Sequence, residues 1–197
     1  MTMEITKDLL KQLREETGAG IVDIKQALDA VQGDVTKAQE LLRKQGKKVA
    51  AKKADRVARE GVIGSYIHAN NKIAALVMLT CETDFVARNE TFQALAHDLA
   101  LHVTAANPAY LTPDDIPADV LAKEREIATE QAKAGGKPVA IMEKIVEGKL
   151  QKFFDESCLL RQPFVKDDSM TITELLEQTV AKIGEKIEVR RFVRMQL

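Results

Sequence analysis

The stretch 62–82, VIGSYIHANNKIAALVMLTCE, decides the fold class. Val62 to His68 is rich in β-branched and aromatic residues, and Asn70 with Asn71 supplies a turn. Ile73 to Glu82 then resumes as a run that is apolar on both faces. A hairpin whose second strand has no polar face belongs in the core of a sheet. Downstream the period changes from two to about 3.6. Asn89 can cap a helix in which Phe92, Leu95, Ala96, Leu99, Ala100 and Val103 share one face, and Pro108 ends it. Thr112 to Asp115 reads as a turn or cap, and Pro117 leads into a charged helix that stops at Gly135 and Gly136. Pro138 is expected to start another helix, broken near Gly148. A last helix opens at Ile172 or Thr173, runs to Ile183 and closes at Gly184, before Ile187, Val189, Val193 and Met195 alternate as a terminal strand. Strands at both ends with helices between them make the class α+β, a small antiparallel sheet packed by helices.

Upstream of the hairpin the signals are helical only. Thr6 is placed to cap a helix carrying Leu9, Leu10 and Leu13 on one face, and Gly18 and Gly20 stop it. Ile21, Ile24, Leu28 and Val31 form a second stripe that ends at Gly33. Asp34 caps a third helix burying Val35, Ala38, Leu41 and Leu42, with Gly46 as its expected end. The predicted organisation is a three-helix docking module at 1–46, a basic linker at 47–60 that reads as an exposed helix or an extended connection, and an α+β core at 61–197. The module has too few converging polar side chains to build a catalytic site.

Charge is unevenly spread. The whole chain of 197 residues carries a formal −1, yet 43–60 holds eight basic residues (Arg43, Lys44, Lys47, Lys48, Lys52, Lys53, Arg56, Arg59) against Asp55 and Glu60. Three readings of that stretch stand: a solvated linker, contact with an acidic protein surface, or RNA binding through phosphates. No aromatic interleaves it to stack on bases. With 45% apolar and 30% charged residues the chain can bury a core. Its longest run free of charged residues, Leu99 to Pro113, is 15 residues and includes two prolines, short of the ~18 to 20 that span a bilayer. No membrane contact is expected, and early charges such as Lys7, Asp8 and Lys11 leave no room for a secretory signal, so the expected location is cytoplasmic. Cys81 and Cys158 sit in apolar runs, where reduced, buried thiols are expected.

Catalytic constellations are missing from the pattern. Gly18-Ala19-Gly20 lacks the third glycine of a dinucleotide loop, and Gly136-Lys137 is followed by Pro138 rather than a hydroxyl residue. His97 and His102 are five apart, so they point to different helix faces, and no metal or cofactor is expected. No Gly-x-Ser-x-Gly turn offers a nucleophile. What stands out is Thr83-Asp84-Phe85-Val86, directly after the buried strand and just before a helix cap. A corner of this kind can project a Phe and a carboxylate toward a partner with little ordering cost. The alternative is that Phe85 folds back into the core while Asp84 caps the helix.

Five short stretches in order resemble the bacterial translation elongation factor Ts family over essentially the whole chain. They are Leu13 to Gly20 (LREETGAG), Ala50 to Ala54 (AAKKA), Glu82 to Arg88 (ETDFVAR), Pro163 to Asp167 (PFVKD) and Lys182 to Glu185 (KIGE). The resemblance implies a ubiquitin-associated-like N-terminal module, an α+β core, and guanine-nucleotide exchange on elongation factor Tu without covalent chemistry. It implies that Thr83, Asp84, Phe85 and Val86 disturb the Mg²⁺ and nucleotide site of that partner. It further implies partner contacts at Arg14, Gly18, Gly20, Ile21, Val22 and Lys52. Relatives often carry two methionines where this chain has Ile21 and Val22, and Ile21 is also a core candidate by periodicity. Longer relatives have a core of two similar subdomains, whereas 61–197 has the length of one. The implied assembly is a homodimer, with no direct nucleotide binding and no specific nucleic acid. The alternative function is an RNA- or ribosome-binding adaptor acting through 43–59.

Overall fold

The computed structural model describes residues 6–134 and 139–197. Chain order is α1 (Lys7–Thr17), α2 (Ile21–Ala30), α3 (Val35–Lys53), β1 (Glu60–Ile67), β2 (Ile73–Cys81), α4 (Asp84–Ala87), α5 (Glu90–Ala106), α6 (Ala118–Ala134), α7 (Val139–Ser157), β3 (Pro163–Phe164), β4 (Asp167–Thr171), α8 (Ile172–Ile183) and β5 (Glu188–Gln196). The class is α+β, with three helices leading. No helix among the described residues is long and apolar enough to cross a membrane.

β2 is the central strand of an antiparallel sheet ordered β1-β2-β5. Its alternate residues Ala75, Val77 and Leu79 are buried against Phe92, Leu99 and Val103 of α5 and, beyond them, Ile172, Leu176 and Val180 of α8. Gly64 of β1 lets α5 approach: a Cβ there would lie 2.2 Å from the Ala96 carbonyl oxygen. The opposite sheet face is apolar and open, with Ile63, Ile67, Leu76, Met78, Val193 and Met195 exposed.

The terminal strand departs from strict alternation. A register shift opposite Met78 and Leu79 leaves Arg190 without a partner in the ladder, so Val189 faces the core while Val193 and Met195 face out. Phe192 takes the inner position instead. A bulge adds one residue and thereby exchanges the faces beyond it.

The leading helices bury their own cluster of Leu13, Ile24, Ala27, Leu28, Ala38 and Leu42. Thr6 and Asp34 cap α1 and α3 through Leu9 N–H and Lys37 N–H. α3 does not end at Gly46: it runs on to Lys53, because Gly46 faces Ala181 of α8 and packing there outweighs the ~1 kcal/mol that a helical glycine costs. α7 likewise continues through Gly148, with Val146 and Leu150 on either side buried against Ala128 and Ala132 of α6. The helix stop expected at Gly135 and Gly136 and the start expected at Pro138 lie outside the described residues. α8 begins at Ile172 with a Thr171/Glu174 capping box and ends on left-handed Gly184.

Candidate functional site

The corner after β2 is built from both ends of the core. Thr83 is the N-cap of α4, its hydroxyl oxygen accepting from Val86 N–H at 3.4 Å. A helix of four residues has too few internal hydrogen bonds to hold itself. Its anchors are tertiary. Ala87 is buried and Val86 half-buried against the core, which turns Phe85 outward: 81% of its surface is exposed. Of the two readings open at this corner, the one that folds Phe85 back into the core fails. Asp84 is half-exposed in the first turn and pairs with Arg88 at 3.0 Å, a surface i,i+4 contact worth a few tenths of a kcal/mol. A partner can therefore displace Arg88 from Asp84 at small cost.

Carboxylates that sequence reasoning missed fix the corner. Glu185, just past Gly184, accepts from the backbone N–H groups of Glu82 and Thr83, both at 3.0 Å, and from the Thr83 hydroxyl at 2.7 Å. Glu82 reciprocates, accepting from Lys186 N–H at 2.6 Å and pairing with Arg56 at 3.2 Å. The Lys186 amide, and after it Arg56 and Lys53, holds the Glu82 carboxyl below its ordinary range despite partial burial. Cys81 donates its thiol hydrogen to the Thr83 carbonyl, 3.2 Å away. Burial, then the charge of Glu185, pushes that thiol up to about 11. Local pattern could not reveal Glu185, whose partners lie more than a hundred residues upstream.

The partner-contact residues implied by the family likeness fall on the leading helices and the end of α3. Arg14, Ile21 and Val22 are exposed, so the core alternative for Ile21 fails, and Ile24 and Leu28 take the buried positions of that stripe. Gly18 closes α1 in the left-handed conformation (φ 67°), with Lys182 of α8 so close that an added Cβ would lie 2.7 Å from its Cβ. Gly20 and Lys52 line one groove, whose wall includes Ala181 of α8. Gly18 and this groove thus lie beside the C-terminal end of α8, whose next residues are Gly184 and Glu185.

The basic stretch meets acids of its own chain. Lys47 pairs with Glu174 at 3.1 Å, Arg56 with Glu82, and Lys53 donates to the Gly184 carbonyl that ends α8. Among the described residues no group of three His, Cys, Asp or Glu is arranged to hold a metal ion. Buried His102 sits apart from the corner, accepting from Val165 N–H at Nδ1 and facing Gln162 Oε1 through Nε2 at 3.0 Å.

The family model described as Elongation factor TS matches residues 3–179. A curated protein named Elongation factor Ts from Fervidobacterium nodosum is 51% identical over 195 residues, covering 99% of each chain. Proteins of the same name from Anaeromyxobacter sp. and Carboxydothermus hydrogenoformans are 53% and 51% identical, over 98% of this chain and 89% of each relative.

Proposed function

The chain belongs to the elongation factor Ts family, and from that premise we propose that it is a guanine-nucleotide exchange factor for elongation factor Tu, acting in the cytoplasm without covalent chemistry. The observation that carries the reading is Phe85, a large apolar side chain standing 81% exposed on a single helical turn anchored to the core. Such a group is stabilised by burial in a partner, by ~1.5–3 kcal/mol for a Phe. If that burial is available only in the conformation of Tu that has lost its grip on Mg²⁺ and GDP, it shifts the partner toward that conformation. Asp84 adds a carboxylate beside the metal site, competing for the contacts that hold it. Thr83 and Val86 complete the element. Arg14, Gly18, Gly20, Ile21, Val22 and Lys52 supply docking, with 1–46 as the docking module, 47–60 as the connection and 61–197 as the core. Linkage makes the effect reciprocal: the factor by which this protein weakens GDP binding is the factor by which GDP weakens its own binding.

The test is release of a fluorescent GDP analogue from purified elongation factor Tu at fixed Mg²⁺. Acceleration by substoichiometric protein, suppressed by excess Mg²⁺, is expected. The Phe85→Ala, Asp84→Asn double variant loses ~10- to 100-fold of it, the equivalent of the burial energy above. A folded protein that leaves release unchanged refutes exchange, and a double variant as active as the parent refutes the wedge.

The proposed assembly is a homodimer. Its support is the open sheet face, where Ile63, Leu76, Met78 and Val193 form a continuous apolar patch across three strands. Two copies of one sheet face can pack on each other about a two-fold axis.

A further inference from the structure

We propose that Glu185 is the positioning residue of the exchange element, holding the Thr83 corner so that Phe85 stands outward in one orientation. The claim rests on the exchange reading above and adds a residue to it.

The geometry carries it. α4 is one turn long and cannot fix its own direction. Its N-cap, Thr83, is tied through three of its groups: the backbone N–H and the hydroxyl to Glu185, and the carbonyl to the Cys81 thiol. One carboxylate oxygen takes the Glu82 and Thr83 amides while the other takes the Thr83 hydroxyl. That arrangement sets the Thr83 side-chain rotamer and leaves its oxygen lone pair toward Val86 N–H. Among the described residues no other side chain accepts from these amides, and 82 and 83 lie beyond Cys81, the last ladder residue of β2. Glu185 is itself placed by Gly184, whose left-handed φ of 87° turns the chain off α8, and Lys53 binds the Gly184 carbonyl. Docking of the leading helices against Lys182 and alignment of Phe85 thus share one helix end.

The experiment compares the full-length protein with Glu185→Ala, Glu185→Gln, Phe85→Ala and the Phe85→Ala, Glu185→Ala double variant. Each is titrated into elongation factor Tu loaded with the fluorescent GDP analogue, separating the maximal release rate from the half-saturating concentration. Thermal unfolding and amide hydrogen exchange are followed in parallel. Glu185→Ala is expected to lower the maximal rate ~10- to 100-fold, as misplacement by about 1 Å does, with the half-saturating concentration within about threefold. Amide exchange should rise at 82–86 while α5 stays protected. Glu185→Gln, which keeps an acceptor oxygen, should recover part of the rate, and in the Phe85→Ala background removal of Glu185 should cost less than about twofold. Should Glu185→Ala fail to fold, the Gln variant carries the same comparison.

A folded Glu185→Ala protein with the parent's maximal rate overturns the assignment. So does a loss seen only in the half-saturating concentration, which would make Glu185 a docking residue, or a loss that multiplies in full with that of Phe85→Ala. A parent protein that does not accelerate release overturns the exchange reading, and this inference with it.

Discussion

Gly64→Ala tests whether the contact of α5 with the sheet is as tight as the fold requires. Gly64 faces inward on β1, opposite Val77 of β2. An ideal Cβ at 64 would lie 2.2 Å from the Ala96 carbonyl oxygen and 2.4 Å from its carbon. Ordinary contact is ~3.5 Å, so more than 1 Å must be recovered. Both offending atoms are backbone, hence no rotamer change helps. Either α5 lifts or β1 bows, and lifting loosens Phe92, Leu99 and Val103 against Val77 and Leu79. A gap of 0.5–1 Å forfeits roughly a quarter to a half of each contact well. Overpacking of this kind costs about 1–3 kcal/mol, here toward the upper end, and the lower chain entropy of unfolded Ala returns about 0.5. The net loss of about 2–2.5 kcal/mol corresponds to a Tm lower by roughly 4–10 °C in a protein of this size. Circular dichroism of thermal and urea unfolding reads it directly. A variant that melts within about 2 °C of the parent, with an equal urea midpoint, would refute the close approach.

Three further outcomes are expected. His102 accepts Val165 N–H at Nδ1, which requires the neutral ring, and burial pulls its proton affinity below the ordinary value. The unfolded chain then binds the extra proton first, so stability is intact above about pH 6.5 and falls, by at most about 1.4 kcal/mol per pH unit, as pH drops toward the lowered native value. His102→Gln should flatten that slope in urea titrations between neutral and mildly acidic pH, and equal slopes would refute the assignment. The Cys81 thiol, buried and raised to about 11, should resist a thiol-specific disulfide reagent until denaturant is added, whereas release at the rate of free cysteine in the native protein would contradict its packing. Leu76→Lys places a charge at the centre of the open sheet face and should halve the mass measured by light scattering while leaving the fold intact. A parent protein already at the mass of one chain removes the dimer, and a variant still at twice that mass moves it to another surface.

The hairpin, α5, the N-caps of α1, α3 and α5 and the close of α8 at Gly184 were legible because each rests on local pattern: period two against period 3.6, a polar residue at those three starts and a glycine at that end. Failures came where long-range contact overrides local preference. Gly46 and Gly148 read as helix breaks, but packing carried both helices through them. The bulge at Arg190 leaves no local mark, so Phe192 was absent from the expected inner face. The hairpin of β3 and β4 was not foreseen because one strand is two residues long and the other is DDSMT, without apolar alternation. At the candidate site the corner was legible, its geometry was not. Periodicity gives no face to a four-residue helix, so the direction of Phe85 is decided by Val86 and Ala87 and by a carboxylate distant in sequence.

The stretch 43–60 shows how charge misleads when its partners are out of sight. The stretch 47–60 read as an exposed helix or linker, and its excess of positive charge suggested an external acidic surface or RNA. The first part is the exposed end of α3, laid along α8, with Lys47 bonded to Glu174 near one end of that helix and Lys53 to the Gly184 carbonyl at the other. Arg56 then reaches Glu82, beside the corner itself. Each pair is worth at most about 1 kcal/mol, so their consequence is directional more than energetic. Had 47–60 been a flexible tether, the leading helices could bind a partner while Phe85 merely hovered near it at some effective concentration. Bound along α8, α3 makes the leading helices and the Phe85 corner one lever. On the exchange reading, docking at one end then commits the other to its contact, and the free energy of docking becomes available to displace the nucleotide.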